Sequence, residues 1–125
     1  MRRLIAGTLL AVAVTGGSAL AHHSYSAYHR DQTIEIEGVL EAFDYMSPHS
    51  LLKVRAADAT LYTGEWGGTS ALKRFGIGKD TLSRGDRLVI AGNPRRDIAE
   101  TGILNLRAVR RPADGWNWVA GGRGR

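Results

Sequence analysis

From Thr33 to Val109 the hydrophobic positions fall in short runs of period two, broken by glycine, proline and aspartate. Ile34 and Ile36 alternate with Glu35 and Glu37, the pattern of a strand with one buried and one wet face. Gly38 interrupts the alternation, and beyond it both parities turn apolar (Val39, Leu40, Ala42, Phe43). A bulge or sharp coil at this glycine would let one long strand serve two sheets, which is how small barrels close. The segment Asp44 to His49 contains Pro48 and ends the strand. Leu52, Val54 and Ala56, alternating with Lys53 and Arg55, predict a second strand, and Ala57-Asp58-Ala59 a hairpin connection into a third, Thr60 to Trp66.

Gly67-Gly68 stops the third strand. Ser70 is placed to N-cap a short helix in which Leu72 and Phe75 share a face, and Gly76 is suited to its left-handed end, with Ile77 beyond. A loop through Arg84-Gly85-Asp86 leads to Leu88-Val89-Ile90-Ala91, a fully buried strand expected to end at Gly92-Asn93-Pro94. A polar stretch to Gly102 precedes a fifth strand, Ile103 to Val109. Strand, strand, strand, helix, strand, strand is the layout of an OB-fold, a partly open five-stranded Greek-key barrel. Five strands are too few for a lipocalin or a sandwich. The fold class is therefore all-β with one short helix, over residues 33–111.

The two ends read differently. Arg2 and Arg3 precede an apolar run from Leu4 to Val14, and Ala19-Leu20-Ala21 forms an A-x-A cleavage site, so residues 1–21 have the form of a secretory signal peptide. Residues 22–32, polar and aromatic without a clean period, read as an N-terminal arm. Residues 112–125 hold Trp116 and Trp118 and end Gly-Gly-Arg-Gly-Arg, and read as a flexible tail.

The leader changes the picture that composition gives. Of the 17 basic residues two leave with it, so the mature chain is less basic than the formal +5 of the whole sequence. The apolar run is too short for a span of ~20 helical residues, and no second one follows. The expected location is the periplasm, with no membrane span; the choice between Sec and twin-arginine export stays open. The chain has no cysteine, which excludes a disulfide framework, a zinc ribbon and a thiol nucleophile.

His22-His23-Ser24 directly after the leader, Pro48-His49 after the first strand, Ser70-Ala71-Leu72-Lys73-Arg74-Phe75-Gly76, and the run Leu82 to Pro94 occur in an order and spacing that resemble the domain-of-unknown-function 6152 family of small bacterial periplasmic proteins. The resemblance covers nearly all of the mature chain and implies export and a small β-rich domain, without an activity. That family usually carries Asn before its Pro-His pair, where this chain has Ser47.

Candidate chemistry is concentrated near the mature terminus. Cleavage after Ala21 would leave His22 with a free α-amine (about 8) and an imidazole (about 6.5) in one chelate, both readily deprotonated by a metal near neutral pH. Copper(II), at the top of the divalent affinity order, favours such nitrogen ligands. This histidine-brace arrangement needs a further histidine, and His49, in a loop OB-folds use for ligands, is the first candidate. His23 and His29 are the others; His29 would share a face with His22 if the arm were helical, with Asp31 able to orient a ring. The competing reading is a polar arm of solvated histidines.

Trp66 and the adjacent Glu65 are candidate ligand contacts, for stacking a sugar ring or a peptide side chain in a metal-free module whose partner is an envelope protein or small ligand. The alternative for Trp66 is a core or barrel-mouth tryptophan. Arg95, Arg96, Arg107, Arg110 and Arg111 would form a patch if the last strands pair, but the export signal and modest mature charge argue against nucleic acid. The sequence carries no G-x-S-x-G, H-E-x-x-H or Walker motif. No catalytic residue is assigned, and an enzyme using copper for oxidation ranks behind the two binding readings.

Overall fold

The computed structural model describes residues 26–122. The predicted leader, with His22 and His23, lies outside the described residues. Among the described residues are six strands and one α-helix: β1 (Ile34–Asp44), β2 (Leu51–Ala56), β3 (Leu61–Glu65), α1 (Thr69–Lys73), β4 (Arg87–Pro94), β5 (Ile103–Arg111) and β6 (Trp116–Val119), with a short 3-10 turn at Ile98–Glu100 before β5.

The sheet order is β3-β2-β1-β4-β5-β6, and a parallel pairing of β3 with β5 closes the first five strands into a barrel. This is the OB-fold-like topology expected from the strand and helix order. The long β1 does serve two partners. Ile34 to Val39 pair with β4, and Gly38 to Asp44 with β2. The strand passes through Gly38 unbroken, however, and the register shift lies between Leu40 and Ala42, leaving Glu41 as the extra residue. The glycine is needed for a different reason: a Cβ there would sit 2.3 Å from the Arg55 carbonyl oxygen.

Leu40, Leu52, Val54, Leu88, Ile90, Leu104, Leu106 and Val109 fill the barrel. In β4, Leu88, Val89 and Ile90 are all buried, as a continuous apolar run requires. Outward-facing acids of β1 pair with bases across the sheet, Glu37 with Arg87 on the adjacent β4 at 3.7 Å and Glu35 with Arg110 on β5, one strand further, at 3.6 Å.

Three further expectations are corrected. First, Ser70 does not cap α1. The helix starts one residue earlier at Thr69, its N-cap position is Gly68, and the Thr69 N–H donates instead to Ser47 Oγ, 3.1 Å away in the β1–β2 loop. The helix end does follow the reading: Gly76 has φ +72°, Gly76 N donates to the Lys73 carbonyl and Ile77 N to that of Leu72, a Schellman motif with Leu72 and Ile77 both buried.

Second, β4 continues through Gly92-Asn93-Pro94. A Cβ on Gly92 would lie 2.6 Å from the Asn105 carbonyl oxygen, so this glycine permits close approach at a register shift rather than a turn. Third, the segment after Pro112 is not a structureless tail. A turn through Gly115 (φ +75°) returns the chain, and β6 pairs with Ala108 to Arg111 of β5. Trp116 and Trp118 face the barrel while Asn117 and Val119 are exposed, a period-two pattern four residues long. Asp114 holds the turn, accepting from Arg111 Nη2 at 2.8 Å and Trp116 N at 3.1 Å.

Candidate functional site

The residues just before β1 are docked. Tyr28 forms an antiparallel bridge with Arg95, His29 N donates to the Pro94 carbonyl at 2.8 Å, and Arg96 N to that of Ala27 at 2.8 Å. Tyr28 is 5% exposed. Its placement beside the β1–β2 loop, the end of β3 and the start of the β4–β5 connection encloses a cavity of about 750 Å³. The β1–β2 and β4–β5 loops are the ones OB-folds use for ligands.

The β1–β2 wall of this cavity is a pinned loop. Ser50, fully buried, donates through Oγ to the Met46 carbonyl at 3.0 Å and accepts from Met46 N at 3.2 Å. Ser50 N donates to the Gly67 carbonyl and its own carbonyl accepts from Trp66 N. Ser47 holds Thr69, through both its N–H and its hydroxyl at 2.9 Å. Gly68 packs so closely under the loop that a Cβ would lie 2.7 Å from the Pro48 carbonyl oxygen. Met46 and His49, both exposed residues of this loop, line the cavity.

The opposite wall is charged and hydrogen-bonded. Tyr28 Oη donates to Glu65 Oε2, Arg95 Nη2 donates to Glu65 Oε1 at 3.2 Å, and Arg95 Nη1 pairs with Glu100. The Arg95 guanidinium also lies 5.3 Å from the centre of the Tyr28 ring. Burial, reinforced by the Glu65 carboxylate accepting the phenolic proton, pushes the Tyr28 pKa up to about 12. Tyr28 is therefore a neutral donor at any physiological pH, and Glu65 has both oxygens engaged.

Trp66 is only 4% exposed. It borders the cavity but belongs mainly to an aromatic cluster, its ring 5.1 Å from that of Trp118 and 5.9 Å from that of Phe43. Its Nε1–H and that of Trp118 are buried without a hydrogen-bond partner among the described residues.

The sequence candidates are thus partly gathered. His49, Trp66 and Glu65 meet at one cavity. His29 does not line it, and the helical arm that would align His29 with His22 is absent at Tyr28–His29, where the chain pairs with β4 instead. Asp31 is exposed in a turn. Among the described residues no group of three or more His, Asp or Glu is placed to hold a metal. The basic positions of the last strands are dispersed onto partners: Arg95 on Glu65 and Glu100, Arg110 on Glu35, and Arg111 on Asp86 and Asp114. No helix among the described residues is long and apolar enough to cross a membrane.

Sequence reasoning missed Tyr28 and Met46, and placed Arg95 in a basic patch rather than beside Glu65. The only signal for Tyr28 and Arg95 at this site was a lone strand carboxylate, Glu65, that needed partners if half-buried. No curated protein and no solved structure matches the chain. The model of one protein family does, over residues 9–105, which take in β1 to β4, the first three residues of β5 and both cavity walls; the chain belongs to the family of unknown function DUF6152.

Proposed function

We propose that the protein is an exported binding domain that holds copper at the mouth of its barrel. The ligands are the α-amine and imidazole of a His22 terminus, created by cleavage after Ala21, together with His49. The observation that carries this reading is where the arm docks: Ala27 and Tyr28 line the same cavity as His49. Ala27 follows His22 by five positions, a reach of up to ~17 Å, enough to bring the terminus to the imidazole. Nitrogen donors of this kind suit copper(II) above the other divalent ions.

The test is calorimetric and EPR titration of the chain beginning at His22 with copper(II), beside a Met-extended form and His49→Ala. One-to-one binding with a nitrogen-rich EPR signature, weakened at least about tenfold in both variants, is the expected result. Equal weak binding by all three would overturn it.

The size of the cavity, about 750 Å³, favours a second reading, in which an organic ligand such as a peptide or glycan segment rests against the edge of Trp66 with Glu65 beside it. Such binding would be indifferent to the N-terminal extension and sensitive to Trp66→Phe, a change that keeps an aromatic ring in the cluster.

A further inference from the structure

We infer that Met46 and His49 form a soft-metal site selective for copper in its cuprous state. This rests on the copper reading for its cavity and shares His49 with it, while Met46 is a ligand of this site alone and neither residue belongs to the arm.

Met46 is the only sulfur-bearing residue among those described; the whole chain has no cysteine and two methionines, the other being Met1. A lone methionine in a domain of this size is expected in the core, where its flexible thioether fills gaps. Here it is 46% exposed. Of the exposed large hydrophobic side chains, Val39, Leu61, Ile98 and Val119 lie away from the cavity, and Met46 lines it.

The loop that carries Met46 is built to hold it. Ser50 Oγ bonds both the N–H and the carbonyl of Met46, and Ser47 is tied to Thr69. The loop is thereby held against β3 and α1 while the donors at its second and fifth positions, thioether and imidazole, line the same cavity. Ligands on a backbone pinned in this way lose little entropy on binding.

The chemistry of the pair selects the ion. Both ligands are neutral, and a thioether favours copper(I) over hard cations. The carboxylate that would recruit magnesium, calcium or manganese is Glu65, but its oxygens are engaged by Tyr28 and Arg95. The cavity therefore offers soft and borderline donors with its hard donor withdrawn. Copper(I), which accepts low coordination numbers, fits two protein ligands and one further donor.

The experiment uses the chain from His22 to Arg125, which holds every described residue, labelled with [methyl-13C]methionine. Met46 is then its only methionine and gives a single methyl resonance. Anaerobic addition of copper(I), with silver(I) as a redox-inert stand-in, is expected to shift that resonance and the His49 ring resonances together, saturating at one equivalent. Met46→Leu, which keeps volume and apolarity, should weaken copper(I) binding at least about tenfold against a chromophoric chelator. It should leave copper(II) binding at the free terminus little changed.

A methyl resonance unmoved at one equivalent overturns the inference, as does copper(I) binding by Met46→Leu equal to that of the parent. The Met-extended form separates the two proposals, read by the His49 resonances and by chelator competition. Retained copper(I) binding with lost copper(II) binding supports both. Retained copper(I) binding with no copper(II) site in any form leaves the Met46–His49 site standing alone. Loss of copper(I) binding on extension places the metal at the terminus and overturns this inference only.

Discussion

At the scale of single residues, two positions show how little latitude the sequence has. Gly38 lies under the crossing of β1 and β2, where a methyl group would meet backbone, which cannot rotate away. Gly38→Ala should therefore destabilise the fold by about 2 kcal/mol or more. Gly76→Ala, where space is open but φ is +72°, should cost only about 1 kcal/mol. Urea unfolding midpoints of the two variants check the order. Tyr28 makes a prediction about pH. Its folded pKa of about 12 lies above the ordinary value of 10, so the folded state holds the phenolic proton more tightly than the unfolded chain does. That contribution is complete below about pH 10 and is lost as pH rises toward 12. The loss of stability between about pH 9 and about pH 11 should be smaller in Tyr28→Phe than in the parent, even though Tyr28→Phe is about 1 kcal/mol less stable at neutral pH.

At the scale of elements, what was legible depended on whether an element's cause is local. Strands β1, β2, β3 and β5 and the end of α1 follow from period-two alternation and from Gly76, and these are sequence-adjacent causes. The start of α1 is not legible locally, because its capping hydroxyl comes from Ser47, 22 residues away. An Asn at position 47, which the family resemblance implies there, would likewise supply an oxygen able to cap. Ser47→Ala should then remove about 1 kcal/mol and loosen the β1–β2 loop, seen as faster amide exchange at Met46, while Ser47→Asn should restore most of both. The end of β4 and the whole of β6 are hidden for a related reason. Glycine and proline signal turns along the sequence, whereas at Gly92 the close approach of Asn105 decides, and at β6 the alternation of Trp116 and Trp118 is too brief to stand out from its glycine-rich surroundings.

At the scale of the whole molecule, the topology was readable and the assembled cavity was not. The bond from Tyr28 to Glu65 spans 37 residues and that from Arg95 to Glu65 spans 30, and no pattern along the chain joins them. His49 and Trp66 could be singled out by type, but only the fold brings the loop that carries Met46 and His49 together with Trp66 and Tyr28 at one cavity. The closure itself has a bearing on dynamics. It is made by Thr63, Gly64 and Glu65 alongside Ile103, Leu104 and Asn105, a shorter ladder than any other around the barrel. Glu65 and Asn105, its last pair, also border the cavity. The cavity thus rests on the seam along which the barrel would part first. Anything seated there acts as a clasp across the seam, so occupancy should be readable at a distance from any ligand as slowed amide exchange along β3 and a lower rate of unfolding.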